Sequence, residues 1–360
     1  MININDLSIG GIDVSTQIFN NEQKNVEQGL LQTIVPDLSY KESYVEIAQP
    51  VTIPNISENI TELMLHDELM DLFSENTHIN CENKLSTSIK RTKLILSGGG
   101  VKGIAHLGGL KALQQLGLLQ YIETYAGTSV GALINTLLSI GYSPDELYKF
   151  ISMIDLSKMK ELNFGNLLRL FGLDDGKRVE LVIEKLFRGK GIQPNITFMQ
   201  LYEKTGKTLI ITASCLNDKR AYYYSHISSP NMEVFIALRM SISIPVYFVP
   251  VKYKGKMFVD GGCIDNFPIQ LFNHCLDNVI ALYLADVRDH VQDITNIEDL
   301  LLHIIQCLFE GVTCNSLKGY DKYVVRISLK KISMVDFRID QETKQKLFDA
   351  GYCAVMDKFK

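Results

Sequence analysis

A serine lies between two glycines in TYAGTSVGA, which covers residues 124–132. Its frame is G-x-S-x-G, with Gly127 and Gly131 on either side of Ser129. A short run with strand propensity precedes the serine and an apolar run follows it, so the pattern predicts a strand, a sharp turn and a helix. Such a turn strains the serine backbone and lifts its hydroxyl above the sheet, near the positive end of the helix dipole. Ser129 is therefore a candidate nucleophile, although a simple glycine–serine turn would have the same sequence.

Three consecutive glycines follow an apolar run upstream, in KLILSGGGVKG (residues 93–103). The apolar run predicts a buried strand, and apolar residues at near-helical spacing predict a helix from about Lys102. Between the two elements, Gly98, Gly99 and Gly100 would leave backbone N–H groups bare. Such a nest of N–H groups binds an anion or an oxyanion.

The glycine spacing also fits the dinucleotide-binding fingerprint G-x-G-x-x-G, at Gly98, Gly100 and Gly103. That fingerprint requires an acidic residue at the end of the second strand, about twenty residues later. Glu123 lies at this distance, but it precedes the second strand, and the serine turn follows that strand. We therefore favour an oxyanion hole over a nucleotide site, and we predict no cofactor.

An aspartate ends a further predicted strand, in KMFVDGGCIDNFP (residues 256–268). Asp260 is followed by Gly261 and Gly262, so its carboxylate can occupy a tight, partly buried pocket. Taken alone, the Asp-Gly pair is more typical of a hairpin turn. Because the serine turn and the glycine loop are also present, we interpret Asp260 as a functional residue.

The three motifs, in this order, resemble those of the patatin-like phospholipase family. The positions that match the family's glycine loop, nucleophile turn and D-G-G motif are Gly98, Gly99, Gly100, Lys102 and Gly103, then Gly127, Ser129 and Gly131, then Asp260, Gly261 and Gly262. Two shorter signatures around the aspartate match Ser241 with Pro245 and Asn266 with Pro268. The resemblance extends from about Lys93 to Phe272.

The resemblance implies an α/β fold with a mostly parallel central sheet flanked by helices. It also implies a lipid acyl hydrolase that uses a Ser–Asp dyad without histidine. Ser129 would attack the ester carbonyl, Asp260 would take its proton and later activate water, and the Gly98–Gly100 loop would bind the oxyanion. The chain departs from the family pattern at Lys102, where many members have arginine, and at Ser97, where many have aspartate.

Three other functions stay open on the sequence. A Ser-His-Asp esterase of the α/β-hydrolase type has the chain order serine, acid, histidine, and His274, His290 and His303 all follow Asp260. That fold, however, gives no reason for the D-G-G motif. An acyltransferase would use the same dyad as the hydrolase. A lipid-binding relative without catalysis is disfavoured because Ser129 and Asp260 are both intact.

The composition excludes several classes of protein. A chain of 360 residues, 46% of them hydrophobic, can build one large α/β domain with an extension. Its formal charge of −5 and the lack of a basic run argue against a nucleic-acid partner. The 7 cysteines include no C-x-x-C pair, which favours a reducing compartment and offers no zinc site. No other metal-binding motif is present, so we predict no metal.

The sequence also predicts where the protein acts. It begins without the basic and apolar regions of a signal peptide, and no apolar run reaches the ~18 residues of a membrane span. We therefore expect a cytoplasmic protein without a transmembrane helix. To reach a membrane lipid it must approach the membrane surface from water, as a peripheral protein. The sequence does not identify a protein partner.

We divide the chain into three parts. Residues 1–90 are a polar N-terminal extension, predicted to be partly disordered with one amphipathic helix capped at Asn59. Residues 93–273 form the catalytic domain, and residues 274–360 complete the same α/β domain. Within the catalytic domain, the apolar but irregular residues 155–175 form either a mobile cover that lines a route for acyl chains or a helix pair at the domain edge.

Overall fold

A sheet of parallel strands carries the residues predicted to do chemistry at the ends of its strands. The computed structural model describes residues 91–159, 161–286, 294, 297–329 and 334–360. The predicted extension of residues 1–90, with its amphipathic helix, lies outside the described residues, as does His290.

The strands and helices alternate along most of the chain, as the sequence pattern predicts. The strands are β1 (Lys93–Leu96), β2 (Thr124–Thr128), β3 (Gly172–Asp174), β4 (Thr208–Cys215), β5 (Arg220–Tyr224), β6 (Val246–Phe248), β7 (Val251–Tyr253), β8 (Lys256–Asp260), β9 (Val279–Asp286) and β10 (Val324–Leu329). The α-helices are α1 (Ile104–Gln115), α2 (Val130–Ser139), α3 (Pro144–Met153), α4 (Phe164–Leu170), α5 (Lys177–Gly189), α6 (Phe198–Thr205), α7 (Val234–Ser241), α8 (Ile297–Ser316) and α9 (Gln341–Phe359).

Eight of the strands in the described ranges form one sheet in the order β10-β9-β1-β2-β4-β8-β7, with β5 also paired to β4. The pairs from β10 to β4 are parallel, whereas β5, β7 and β8 join by antiparallel pairing. Strands β3 and β6 form a separate parallel pair. This arrangement confirms the predicted α/β class with a mostly parallel sheet flanked by helices.

The register of the sheet brings the predicted motifs to one place. Leu96, the last residue of β1, pairs with Gly127 near the end of β2 and with Leu282 in β9. The carboxyl ends of these parallel strands therefore lie together, and the glycine loop and the serine turn both begin there. Ligand and catalytic sites in open α/β sheets occur at this end of the strands.

Two layers of apolar side chains cover the sheet. Leu94 and Leu96 face the helices α1, α2 and α9, whereas Ile95 points to the opposite side, beside Phe267 and Leu271. All three strand residues are fully buried, as expected for a parallel strand covered on both faces. In the part of the chain that the structure describes, no helix is both long enough and apolar enough to cross a bilayer.

Candidate active site

Ser129 occupies the turn between β2 and α2, in the strand, turn and helix that the sequence predicts. Its φ of 54° and ψ of −127° lie outside the regions that a residue with a side chain normally adopts. Its backbone N–H donates a hydrogen bond of 2.9 Å to Oγ of Ser241, which helps to hold this conformation. Strained residues of this kind persist only where their surroundings fix them, and they cluster at functional sites.

The two glycines beside the serine allow the turn to approach the neighbouring backbone. A methyl group at Gly131 would lie 2.4 Å from the carbonyl oxygen of Leu96, and one at Gly127 would lie 2.7 Å from the N atom of Ala132. Both distances are too short for a side chain. The sharp turn at Ser129 therefore depends on glycine at both positions.

Asp260 ends β8 and lies in the same region because β8 pairs with β4. It is opposite Ala213, directly beyond the part of β4 that pairs with β2. Its carboxyl group is fully buried, and Oδ1 accepts a hydrogen bond of 2.8 Å from the N–H of Gly262. Gly261 packs on the strand that precedes the serine, since a methyl group there would lie 2.8 Å from Cγ2 of Thr128.

The electrostatic state of Asp260 suits a base. Burial raises the pKa of its carboxyl group to about 7, while hydrogen bonding from Ser129 and from the N–H of Gly262 opposes that rise. Oδ2 itself makes no hydrogen bond of ordinary geometry among the described residues, although Ser129 is close enough to influence the carboxyl group. In many enzymes such contacts shorten only when substrate binds. A carboxyl group that titrates near neutral pH can both accept and return a proton.

The glycine loop lies against the serine turn. A methyl group at Gly98 would lie 3.2 Å from Cβ of Ser129 and 2.3 Å from Oδ1 of Asn266. A methyl group at Gly103 would lie 2.4 Å from Cγ2 of Val130, the residue that follows the serine. The glycine loop and the serine turn thus touch through positions where a side chain would not fit.

The N–H groups of the loop have different partners. The N–H of Gly98 donates to the carbonyl oxygen of Asn266 at 3.1 Å, and that of Lys102 donates to Gly99 at 3.2 Å. In the described part of the chain, no acceptor takes the N–H of Gly99 or Gly100. Gly100 has a φ of 57°, which favours glycine. Within the described ranges, the N–H groups of Gly99 and Gly100 therefore have no acceptor, whereas those of Gly98 and Lys102 are committed to the fold.

His106, which no sequence motif marks as a site residue, supports the glycine loop through Ser97. His106, three positions after Gly103, is fully buried and its Nε2 lies 2.9 Å from the carbonyl oxygen of Ser97. Burial lowers the pKa of His106 to about 4, so the ring is neutral and its Nε2 carries the donated proton. The side-chain Oγ of Ser97 accepts a hydrogen bond of 3.0 Å from the backbone N–H of Leu284. The only sequence signal for His106 is a polar residue inside an apolar helix.

The last residue of α7, Ser241, and the segment that follows it support both members of the predicted dyad. Ser241 accepts the N–H of Ser129, and the carbonyl oxygen of Ser243 accepts the N–H of Asp260 at 2.8 Å. Ser243 is itself held by the buried guanidinium of Arg239, which also forms an ion pair of 2.8 Å with Glu180. The sequence indicated Ser241 only as part of a family signature, without its contact to the serine.

The described histidines that follow Asp260 do not contact the dyad. His274 precedes β9. Burial and the charge of Lys93, the first residue of β1, lower the pKa of His274. It therefore lies near the start of the parallel strands, at the end opposite Ser129. No hydrogen bond within the described ranges joins His274 or His303 to Ser129 or to Asp260. The geometry around the dyad thus contains no described imidazole in the place that a Ser-His-Asp triad requires.

An apolar cavity of about 210 Å³ reaches Ser129. Its walls come mainly from α2, α3 and α5, and include Leu133, Ile151, Ile154, Leu186 and Phe248. Of the two alternatives for residues 155–175, the cover that lines an acyl route is present only in part. Leu156 and Met159 line the cavity, whereas the apolar residues of α4 do not, and none of them is buried.

Comparison with known proteins places these features in a family. The sequence model of the patatin-like phospholipases matches residues 94–273. An uncharacterized protein of Acanthamoeba polyphaga mimivirus is 34% identical over 281 residues, which cover 73% of this chain and 91% of that protein. A probable lipid hydrolase of Invertebrate iridescent virus 6 is 35% identical over 183 residues, which cover 49% of this chain and 62% of that protein.

The fold is also similar to that of a solved structure. The crystal structure of VipD from Legionella pneumophila aligns with a TM-score of 0.50 and 18% sequence identity. The alignment covers 74% of this chain and 66% of the VipD chain. At this identity the similarity concerns the fold alone.

Proposed function

Because the chain belongs to the patatin-like phospholipase family, we propose that it is a lipid acyl hydrolase, with Ser129 as the nucleophile and Asp260 as the base. The observation that carries the proposal is the strained Ser129, which faces a fully buried carboxyl group and opens on an apolar cavity. We propose esters of phospholipids or acylglycerols, presented at a membrane surface, as the substrates.

In the first step, Oγ of Ser129 attacks the ester carbonyl carbon while Oδ2 of Asp260 takes the hydroxyl proton. Oδ2 is the oxygen without a partner among the described residues, whereas Oδ1 is fixed by Gly262. A serine hydroxyl is a weak nucleophile and needs such an adjacent base. Collapse of the tetrahedral intermediate expels the alcohol, which leaves with the proton held by Asp260.

The oxyanion of this intermediate needs hydrogen-bond donors in fixed positions. We assign this role to the N–H groups of Gly99 and Gly100, because the N–H of Gly98 already donates to Asn266. Gly98 instead allows the loop to pack closely against Ser129, because a side chain at this position would not fit. Loss of one such donor typically lowers the rate by roughly 10²–10³-fold.

In the second step, Asp260 takes a proton from water, and the resulting hydroxide attacks the acyl-enzyme. The fatty acid is released and the proton returns to Oγ of Ser129. The apolar cavity holds the acyl chain through both steps and keeps it away from water. An acyltransferase would use the same acyl-enzyme, with an alcohol in place of the water.

The proposal is tested with a panel of phospholipids and acylglycerols and with a fluorophosphonate label. The wild type should release fatty acid and take up the label, and Ser129→Ala should do neither. Ser139→Ala is the matched control, because Ser139 is a buried serine on the adjacent helix with the same 5% exposure. Labelling that survives in Ser129→Ala would contradict the assignment. Transfer of the acyl group to an added alcohol in preference to water would identify an acyltransferase.

A further inference from the structure

Helix α4 carries an apolar stripe that faces solvent. Phe164 and Leu168 have the i, i+4 spacing of one helical face, and Phe171 follows the last residue of the helix in the left-handed conformation. They expose 60%, 85% and 60% of their surfaces. Single exposed apolar residues are common, but a contiguous group of large ones marks a site of interaction.

Helix α8 carries a second stripe of the same kind. Its members are Ile297, Leu300, Ile304 and Leu308, which share one face and expose 60%, 41%, 48% and 62% of their surfaces. The other side of the helix is anchored in the protein, where Phe309 is buried. The packed face of α8 therefore fixes the helix to the protein, while the opposite face leaves its apolar stripe exposed to solvent.

The two stripes border the same site. Helix α4 leads directly into β3, and β3 pairs with β6 through Gly172 and Val246. Helix α8 packs against β6 and against the turn that follows Asp260, where its Phe309 ring would lie 2.7 Å from a methyl group at Gly262. Strand β6 ends at Phe248, which lines the cavity that reaches Ser129.

The charge near α4 also differs from that of the whole chain. The segment from Met153 to Phe171 contains three basic residues (Lys158, Lys160 and Arg169) and two acidic ones (Asp155 and Glu161), whereas the chain has a formal charge of −5. This basic charge is confined to the α4 segment, because α8 contains Glu298, Asp299 and Glu310 and no lysine or arginine. The attraction of the two stripes to a lipid surface therefore comes mainly from apolar burial.

We infer that the stripes of α4 and α8 form one interfacial surface that rests on a lipid bilayer and places the cavity over it. This inference rests on the proposed function, since a lipid hydrolase must draw its substrate from a bilayer. Leu156 and Met159, just before α4, already line the cavity, so the surface is continuous with the route to Ser129. A protein that covered both stripes would block that route, whereas a bilayer supplies the substrate to it.

The test measures binding and turnover separately. Two double variants, Leu168→Ser with Phe171→Ser and Ile304→Ser with Leu308→Ser, remove half or more of each stripe. The control is Ile227→Ser. Ile227 is 42% exposed and follows β5, which is antiparallel to β4, so it lies at the opposite end of the strands from Ser129.

Binding is measured by co-sedimentation with vesicles of phosphatidylcholine and phosphatidylglycerol, using the full chain with Ser129→Ala so that no lipid is consumed. Each double variant should lower the partition coefficient about tenfold or more, because two large apolar side chains no longer leave water. The control should bind like the unmodified chain. With Ser129 intact, both double variants should keep turnover of a soluble short-chain ester and lose turnover of vesicle lipid.

The outcomes separate this inference from the proposed function. If vesicle binding falls while no ester is hydrolysed by any form, the interfacial surface stands and the hydrolase assignment fails. If ester hydrolysis is present but both double variants bind vesicles and hydrolyse vesicle lipid like the control, the surface is excluded. A concentration-dependent dimer that both double variants abolish without a change in vesicle binding would likewise overturn it.

Discussion

Helices α2 and α4 are both apolar, but they use their side chains in opposite ways. Helix α2 begins after Ser129 and buries most of its residues, among them Ala132, Ile134 and Leu137. Helix α4 buries none of its residues and exposes Leu168 almost completely. Burial fixes the serine turn against the sheet, whereas exposure leaves α4 available to a surface outside the protein. Apolar residues thus position the serine turn in α2, whereas in α4 they are exposed for contact with a surface outside the protein.

The largest loss of activity should come from a substitution in the proposed dyad, next to α2. Asp260→Asn removes the proton acceptor, and we expect activity to fall by roughly 10⁴-fold, as in other enzymes that lose a residue of the nucleophile's proton relay. His274→Ala and His303→Ala should retain most activity, because no hydrogen bond within the described ranges joins either imidazole to Ser129 or Asp260. Steady-state hydrolysis of one lipid by all three variants is the measurement.

His290→Ala belongs in the same series, although His290 lies outside the described residues. A loss of about a thousandfold from any single histidine would favour a Ser-His-Asp enzyme and break the dyad assignment.

The second effect concerns the glycine loop that faces α2. A methyl group at Gly99 would lie 2.6 Å from Cδ1 of Leu284, so Gly99→Ala should displace the loop and its N–H groups. We expect kcat to fall by roughly 10²-fold with a small change in KM, because the donors act mainly in the transition state. Gly311→Ala is the control, since a methyl group there has no neighbour within 4 Å.

Isothermal titration with NAD, NADP and ATP accompanies the kinetics. Micromolar binding of any of them that Gly99→Ala removes would point back to a dinucleotide site.

The third effect is the pH dependence that burial gives to Asp260. Because the base must be ionised and its pKa is raised to about 7, kcat/KM should rise about tenfold per pH unit below pH 7 and level off above it. The raised pKa of Asp260 also lowers the stability of the folded protein at neutral pH. The pKa in the folded chain exceeds that of an exposed aspartate, so the stabilisation that this carboxyl group contributes is present at low pH and is lost as pH rises towards 7.

Asp260→Asn should therefore unfold at a higher temperature than the wild type at pH 8, and the gap should narrow at pH 4. Thermal unfolding at both pH values measures the difference. A wild type that is the more stable form at pH 8 would contradict the raised pKa.

The smallest effect should come from α4. Leu168→Ser with Phe171→Ser should change the free energy of unfolding by about 0.5 kcal/mol or less, because neither side chain is buried. Leu137→Ser in α2 should cost several times more, since Leu137 is 4% exposed. Urea unfolding of the three forms compares the two helices directly. Equal losses would show that α4 contributes to the core.

The sequence predicted the parts of this site that depend on short motifs. The serine turn, the glycine loop and Asp260 each follow a strand, and the parallel register of β1, β2 and β9 together with the pairing of β4 and β8 brings them together. Local patterns suffice here because strand, turn and helix follow directly in sequence.

The contacts that hold the site could not be predicted in the same way. Ser241 reaches the N–H of Ser129 across 112 positions of the chain, and Asn266 takes the N–H of Gly98. Nothing in the spacing of these residues encodes such contacts. The sequence allows residues 155–175 to be either a cover that lines the acyl route or a helix pair at the domain edge. Helix α4 buries none of its residues and does not line the cavity, because helical spacing identifies a face but not what covers it.

The positive φ of Ser129 also limits which side chains could replace it as the proposed nucleophile. A β-branched side chain is strongly disfavoured at a φ of 54°, so threonine would distort the turn although it carries the same hydroxyl. Cysteine has the unbranched shape of serine and would fit. The backbone at this one position therefore favours an unbranched alcohol or thiol side chain over a branched one.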